Sequence, residues 1–389
     1  MIMMFFALAL APAMVVACQW TTINPPPPQR FMSAAASSLG KSLAYVGGTF
    51  IDKKTGAIGN TRKGVITYHP TSNTWTTLPN MTTARSAPAA ATLKGRLYVF
   101  GGVQEKPKQQ QQQQQQHSVD LRTISDMNST EMLRDRSGSV VIGTVESLAV
   151  STDGKALEKT WKKELLLPGG PLESPSAVAL ESSLGIVIAG GFDSSTVDGV
   201  FHFQYYNQTW LFDGQQYVSL PDMPFRRSNM ALVATTHSST SKTGGSGGGD
   251  DDGDDDVVYA FGGGYTDPSY GTCASLRIPK TSTGSFGNLH WIPCSSNLVN
   301  PISWTAAAVV NRTIVLAGGM SDTFTPTAET DILSLSGAGG GAAESNWTNA
   351  DCDLPLAVGF LSGAVTLDDQ FVVVAGTAPK NGGAYLLTL

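Results

Sequence analysis

A short β-branched run that ends in a pair of small residues recurs six times along the chain. Five of the pairs are glycines and the sixth is degraded, and their first members are Gly47, Gly101, Gly190, Gly262, Gly318 and Ala375. Most of the intervals lie near about fifty residues, and the two longer ones each contain an insertion. One copy of such a repeat cannot bury its own apolar face, so neighbouring copies must stack into a common core.

Each copy also contains other short segments typical of β-strands. In the second copy a run of small residues at 87–93 precedes the glycine pair, and further strand-like runs follow at 145–150 and 160–167. Four strands per copy predict a propeller blade. The composition agrees, because 42 glycines and only 14% charged residues favour an all-β chain over a helical one.

The last copy is incomplete, because the chain ends after one short strand that follows Ala375 and Gly376. Residues 18–22 resemble residues 73–77, which occupy the predicted fourth strand of the first copy. We therefore expect the N-terminal strand to complete the last blade.

Large aromatic residues recur in the predicted fourth strands. They are expected to pack between blades, and they are Trp75, Trp161, Trp291 and Trp347. Together with the glycine pairs and the Met-x-x-x-Arg or Met-Pro-x-x-Arg approaches to new blades, they resemble the kelch-repeat β-propeller family. The resemblance covers residues 18–389 and implies a six-bladed propeller of four-stranded blades. The chain departs from the pattern at Ala375 and in the third copy, where Tyr217 is expected to substitute for the tryptophan.

The first 17 residues are uncharged and mostly apolar, which predicts a secretory signal peptide over 1–17. The string that ends at Cys18 also resembles a bacterial lipoprotein cleavage site, but the uncharged start favours the first interpretation. No other segment has the 18 or more apolar residues that a membrane-spanning helix needs. We expect an extracellular protein, either secreted or associated with the cell surface, that is monomeric.

Two further features agree with secretion. Five Asn-x-Ser/Thr triplets predict N-glycosylation, at Asn80, Asn128, Asn207, Asn311 and Asn346. Four cysteines allow two disulfides in an oxidising compartment. Cys273 and Cys294 are the best-placed pair, and the pairing of Cys18 and Cys352 stays open.

Two insertions are expected to lie outside the blades as disordered loops. Residues 104–139 include eight consecutive glutamines, and residues 237–256 include six aspartates. Clustered carboxylates are ligands for calcium, but the aspartates lack the spacing of a calcium loop, and a solvated loop is favoured. The same aspartates account for the whole formal net charge of -6, and no basic stripe suggests a nucleic-acid partner.

One set of residues is a candidate ligand site. Arg30, Arg85 and Arg227 lie on predicted loops that enter innermost strands, where a propeller gathers them around one mouth of its channel. Such guanidinium groups can bind an anion, although local structural pairing is favoured because arginine at this point belongs to the repeat. Trp304, in the equivalent loop of the fifth copy, is a candidate for stacking on a sugar or peptide. Glu173, in the loop that enters the third copy, is the one carboxylate nominated near the arginines, where an enzyme would need an acid-base group.

These features favour a binding module that engages a protein or glycan through one propeller face, without catalysis or a cofactor. The alternative is a carbohydrate-active enzyme. The resemblance includes copper-dependent oxidases similar to galactose oxidase and kelch-type sugar epimerases. None of the tyrosines, cysteines or histidines stands in the copper-site motif of the oxidases, so copper is a fold-level analogy, and calcium is likewise left open.

Overall fold

We describe the fold from a computed structural model. It describes residues 19–23, 31–51, 58–105, 139–197, 200–237, 255–264, 271–280, 286–323, 325–335, 346–350, 352–359, 364–367, 371–376 and 383–388. Apart from one three-residue 3-10 helix, Pro70–Ser72, every regular element in these ranges is a β-strand. The prediction of an all-β chain is confirmed.

The strands are, in chain order, β1 (Gln19–Thr22), β2 (Phe31–Met32), β3 (Ala35–Leu39), β4 (Ser42–Val46), β5 (Thr49–Ile51), β6 (Ile58–Thr61), β7 (Val65–His69), β8 (Thr74–Leu78), β9 (Ala89–Leu93), β10 (Arg96–Phe100), β11 (Val103–Glu105), β12 (Ser139–Val141), β13 (Val145–Ala149), β14 (Lys162–Lys163), β15 (Ser176–Ala179), β16 (Ile186–Ala189), β17 (Phe192–Val197), β18 (Val200–Tyr205), β19 (Thr209–Phe212), β20 (Tyr217–Leu220), β21 (Ala231–His237), β22 (Asp255–Phe261), β23 (Cys273–Ile278), β24 (Ile292–Pro293), β25 (Ile302–Ser303), β26 (Ala306–Val310), β27 (Thr313–Ser321), β28 (Pro326–Ser334), β29 (Thr348–Asn349), β30 (Ala364–Leu367), β31 (Phe371–Gly376) and β32 (Gly383–Thr388).

Five antiparallel four-stranded sheets form the blades of a propeller arrangement. The first blade is β3-β4-β7-β8, the second β9-β10-β13-β14, the third β15-β16-β19-β20 and the fourth β21-β22-β23-β24. The closing blade is β30-β31-β32-β1. The fifth copy of the repeat forms a five-stranded sheet, in which β25 and β26 both pair with β27.

The prediction of six four-stranded blades is therefore wrong in its count, because five sheets in the described ranges have four strands. In the fifth copy β27 continues past its glycine pair, and its last residues pair with Ile302 and Ser303. The corresponding segments of the second and third blades make only the isolated bridges Ser86 to Val103 and Glu173 to Phe192. The extra strand is thus an extended form of a contact that other blades also make.

The N-terminal strand joins the end of the chain, as predicted from the similarity of residues 18–22 to 73–77. Strand β1 pairs with β32 in a register that places Gln19 opposite Thr388 and Thr22 opposite Tyr385. The indole Nε1 of Trp20 also donates to the carbonyl of Cys352, at 3.2 Å. Cys352 is disulfide-bonded, whereas Cys18 lies outside the described residues.

The innermost strands surround a channel. Each innermost strand contacts the next one around the ring, in the order β3, β9, β15, β21, β26 and β30, and β30 contacts β3. Many residues of these strands are small, and Ala89, Ala90 and Ala91 follow one another in β9. Small side chains allow neighbouring sheets to approach closely at the axis.

The space between sheets widens away from the axis and is filled by aromatic residues. Each pair of neighbouring sheets shares a buried apolar cluster. Trp161, Trp291 and Trp347 are buried in these clusters and Trp75 is half-buried, as predicted. The indoles of Trp161 and Trp291 donate across the junction, to the carbonyls of Pro79 at 2.7 Å and Pro221 at 3.0 Å. Tyr217 takes this position in the third blade and donates to Leu165, at 3.4 Å.

The disulfide predicted between Cys273 and Cys294 is present. It links β23, the third strand of the fourth blade, to the residue after β24, so that the outermost strand is tied to the sheet. No helix in the described ranges is long and apolar enough to cross a membrane.

The insertions are shorter at their ends than predicted. Gln104 and Glu105 belong to β11, and Asp255 and Asp256 belong to β22. Asp256 is fully buried and accepts hydrogen bonds from the backbone and hydroxyl of Ser182. The two last aspartates of the acidic run are therefore part of a blade. Ser139 and His237 likewise belong to β12 and β21, and residues 106–138 and 238–254 lie outside the described residues.

Backbone hydrogen bonds made by the glycine pairs link successive sheets. The second glycine donates its backbone N–H to the carbonyl of the segment that enters the next sheet, as in Gly102 to Leu172 at 2.8 Å and Gly191 to Arg227 at 2.9 Å. The first glycine has a positive φ, and a Cβ on Gly101 would lie 2.4 Å from the carbonyl oxygen of Leu172. Both the φ angle and the close approach require glycine.

We predict that Gly101→Ala lowers the free energy of unfolding by about 1–3 kcal/mol or more, because the added Cβ strains the backbone and clashes with the carbonyl oxygen of Leu172. Gly64→Ala is a matched control, since a Cβ there would have no neighbour within 4 Å. It is expected to change stability by less than about 0.5 kcal/mol. Urea unfolding measures the free energy of unfolding of both variants. Equal free energies would contradict a role of the glycine pairs in linking successive sheets.

Candidate functional site

Five residues with left-handed backbone encircle the described part of one channel mouth. Each lies two residues before the start of an innermost strand and has a φ between 47° and 54°, and they are Ser33, Ala87, Ser174, Asn229 and Trp304. We call them the belt. None is glycine, and a positive φ is uncommon for other residues and a clear outlier for a bulky one such as tryptophan.

The belt residues are joined by backbone hydrogen bonds. The N–H of Ala87 donates to Ser33 at 2.7 Å, and that of Ser174 donates to Ala87 at 2.9 Å. Asn229 continues the series to Ser174 at 3.4 Å, and Trp304 to Asn229 at 2.8 Å. Because each residue bonds to its neighbour in the next sheet, the left-handed conformation is fixed by the ring of sheets and not by local sequence.

The belt lines a small cavity of about 150 Å³ at this mouth. Below it the channel opens into a cavity of about 1000 Å³, which shares the lining residues Ala36, Ala90 and Ala177 with the first. From the volumes of these cavities, we call the belt end of the channel the narrow mouth and the opposite end the wide end.

The narrow mouth is neutral over its described lining. Its residues are alanines, serines, prolines and other uncharged types. Trp304 is the largest of them and is half-buried. An indole among small neutral groups suits the apolar face of a sugar ring or a side chain of a protein.

Three β-hairpins rise beside the belt and make this face uneven. Strands β5, β11 and β17 each begin at a residue that pairs with the position before a belt residue, as in Ser86 with Val103. They pair with β6, β12 and β18 respectively. The first two hairpins contact each other, and the N–H of Thr61 donates to Oε1 of Glu105 at 3.1 Å. The hairpins belong to the first three blades, so they border the mouth on the side of those blades.

Arg85 and Arg227, two of the three arginines predicted to bind an anion, are fully buried. Nη1 of Arg85 donates to the carbonyls of Gly101 at 2.8 Å and Thr144 at 2.9 Å. Arg227 makes similar contacts, to the carbonyl of Gly262 at 3.3 Å and the hydroxyl of Thr272 at 2.9 Å. These contacts favour local structural pairing of the two arginines over anion binding.

The other predicted ligand residues are placed differently. Arg30 lies outside the described residues. Glu173 is buried, and its backbone N–H and carbonyl both bond to Phe192, at 2.8 and 2.9 Å. Of the described candidates only Trp304 lines the mouth. The four remaining belt residues were not predicted, although each copy could have been aligned on the residues before its innermost strand.

Comparisons with family models and with curated proteins find no match for this chain. Within the described ranges, no group of three or more histidine, cysteine, aspartate or glutamate residues is arranged to hold a metal ion.

A buried acidic residue accompanies Arg85 in the second blade. Glu146 accepts hydrogen bonds from the Nη2 of Arg85 at 2.7 Å, from the N–H and hydroxyl of Thr82 and from the N–H of Thr83. Burial alone raises the pKa of Glu146, but these hydrogen bonds and the charge of Arg85 outweigh it and lower the pKa below its usual value. The carboxylate therefore stabilises the fold in its charged form.

Asp331 occupies the same position in the five-stranded sheet without an arginine. It lies opposite Leu316, as Glu146 lies opposite Val99, and both partners precede the glycine pair by two residues. The place of Arg85, two residues before the belt, is taken by Ile302. Burial of Asp331, together with the charges of Glu329 and Asp353, raises its pKa to about 6. The charged form of Asp331 therefore destabilises the sheet.

We predict that Asp331→Asn increases stability at pH 7.5. Because the folded-state pKa of about 6 lies above the unfolded value of 3.8, the charged carboxylate costs roughly 3 kcal/mol above pH 6. The cost is relieved as pH falls through 6 and is absent below pH 3.8. The measured quantity is the difference in unfolding free energy between Asp331→Asn and the unmodified protein from pH 8 to pH 4.

Glu146→Gln is the matched control at the equivalent position. The lowered pKa of Glu146 means that its stabilisation is present at neutral pH and is lost as pH falls through that pKa. This variant is expected to be destabilised at pH 7.5. An Asp331→Asn difference that is independent of pH would contradict the assignment of the buried charge.

Proposed function

We propose that this chain is a secreted or cell-surface binding module of the kelch type, which engages a protein or glycan through the belt face without catalysis. Trp304 is the observation that carries the proposal. Its backbone has a φ of 47°, which costs a bulky residue about 1–3 kcal/mol, although glycine would fit without strain. Strained residues of this kind cluster at ligand sites.

The chemistry of the mouth supports a neutral ligand group. Since Arg85 and Arg227 are buried on backbone carbonyls, the described lining offers no charge to attract an anion. The indole of the half-buried Trp304 supplies the apolar surface, and Ser33 and Ser174 supply polar groups in the same lining. A pyranose ring or an apolar side chain of a protein loop satisfies both requirements.

Other observations support the kelch and secretory parts of the proposal. The glycine pairs and interblade tryptophans have the structural roles that the kelch resemblance implies. The Cys273 to Cys294 disulfide is typical of proteins exposed to an oxidising compartment, in agreement with the predicted signal peptide over 1–17. β-Propellers are common scaffolds for protein interactions, and loops at one face usually carry the contacts.

The first test is a binding screen of the full mature chain, produced by a eukaryotic secretory host. The probes are a printed glycan array and a library of extracellular protein domains. Any ligand found is then titrated against Trp304→Ala and Trp304→Gly. Both variants are expected to lose at least about 2 kcal/mol of binding, or roughly thirtyfold in Kd, as for a central aromatic contact. A ligand whose affinity is unchanged by both variants would contradict the proposal.

The same two variants separate backbone strain from ligand contact. We predict that Trp304→Gly is more stable than Trp304→Ala by about 1 kcal/mol, because alanine keeps a Cβ at positive φ. Lys94→Gly and Lys94→Ala form the control pair, since Lys94 is exposed, has a φ of 49° and lies in the turn after β9. The control pair should show the same stability difference and no change in binding. Thermal unfolding of the four variants gives the comparison.

A further inference from the structure

The five predicted glycosylation triplets are not equivalent in the structure. Asn80 and Asn346 are exposed, and Asn128 lies outside the described residues. The Nδ2 of Asn207 donates to the carbonyl of Met223 at 3.0 Å, so a glycan on that nitrogen would disturb a half-buried contact. Asn311 is exposed, and no hydrogen bond of its side chain is found within the described residues.

Asn311 has a distinctive place in the fold. It forms the two-residue turn between β26 and β27 with Arg312, and Val310 pairs with Thr313 across that turn. Both turn residues have positive φ, 47° and 59°, as a tight hairpin turn requires, and asparagine is favoured there. The turn fixes Asn311 at the tip of an innermost hairpin.

That hairpin tip stands at the wide end of the channel. The cavity of about 1000 Å³ is lined near this end by Glu181, Thr236, Asn311 and Arg312. Other innermost hairpins reach the same end, among them the turn that contains Ser183. A large group attached to Asn311 therefore begins at the rim of the opening.

We propose that Asn311 carries an N-linked glycan that covers the wide end of the channel, so that ligands enter only at the belt. The donor is a lipid-diphosphate-linked oligosaccharide of the secretory pathway. The amide nitrogen of Asn311 loses one proton and bonds to the anomeric carbon, while the bond from that carbon to the diphosphate oxygen breaks and the lipid diphosphate leaves with its electron pair. The inference rests on the proposed function in one respect, which is passage through a secretory compartment.

The cover gives the two ends of the channel different roles. The wide end leads into the larger cavity and carries the charged residues Glu181 and Arg312, whereas the described lining of the belt mouth is neutral. A hydrated glycan at the wide end blocks bulky molecules without filling the cavity. The module then presents a single face to its ligand.

Glycopeptide mass spectrometry of the full chain from a eukaryotic secretory host is the first part of the test. We expect a glycan on Asn311 in most molecules and lower occupancy at Asn207. Glycans on Asn80 or Asn346 with none on Asn311 would overturn the inference but support secretion. An unglycosylated chain would overturn both the inference and the secretory part of the proposed function, while leaving ligand binding at Trp304 to its own test.

Access to the channel is the second part. Thr92→Cys places a thiol in the cavity near the wide end. Its labelling by a maleimide attached to a polyethylene glycol chain is expected to be at least several-fold slower in the glycosylated protein than after enzymatic removal of N-glycans. Asn311→Gln should give the fast rate without the enzyme. Asn80→Gln is the matched control, because Asn80 lines neither cavity, and it should keep the slow rate.

A small maleimide controls for burial of the thiol and should react at similar rates in all forms. If glycan removal and Asn311→Gln leave the rate of the bulky reagent unchanged, the glycan does not cover the channel and the inference is wrong.

Discussion

The contact on which the structure depends is the backbone hydrogen bond from a glycine pair to the segment that enters the next sheet. It recurs from Gly48 to Arg85, from Gly102 to Leu172 and from Gly263 to Ile302, at 2.8 to 2.9 Å. The first glycine of each such pair leaves no room for a Cβ where its neighbours are described, as at Gly101. Successive sheets are thereby held at a fixed separation near the axis, and the channel follows from repeating that separation around the ring.

The belt is a consequence of the same contact. The carbonyl of Arg85 accepts the bond from Gly48, and only four residues later the innermost strand of the same blade begins at Ala89. Ala87 makes this change of direction in the left-handed conformation, and Ser174, Asn229 and Trp304 do the same in later sheets. Because the ring fixes the backbone, the side chain at a belt position is free to vary. The chain has serine, alanine and asparagine there as well as tryptophan.

Much of the fold could be predicted because its determinants are local and repeated. A glycine pair, a run of small residues and a tryptophan near the fourth strand are visible in most copies, and the contacts between sheets use those residues. The five-stranded sheet could not be predicted in this way. It depends on whether β27 stays extended after Gly319, which the pattern of glycines does not encode.

The ligand site was harder to predict because charge is a poor guide to exposure in a repeat. Arg85 and Arg227 stood out in the sequence as cations near a channel mouth, yet their guanidinium groups bond to backbone carbonyls and a threonine inside the blade. The belt residues carry no charge, and their position depends on hydrogen bonds between sheets. The position of Trp304 in the repeat predicts its place at the mouth, but the sequence does not predict its left-handed backbone conformation.

Two buried carboxylates at equivalent positions, Glu146 and Asp331, have opposite effects on the stability of the fold. Glu146 pairs with Arg85, whereas Ile302 stands in the place of that arginine in the five-stranded sheet and Asp331 lies near two other carboxylates. Ile302 is two residues from Trp304, the bulkiest of the five belt residues with left-handed backbone. The five-stranded sheet therefore contains both the destabilising carboxylate of Asp331 and the left-handed backbone of Trp304, the largest side chain at the mouth. A local loss of stability beside that side chain is the pattern expected when a ligand site is built on a scaffold that the other sheets hold together.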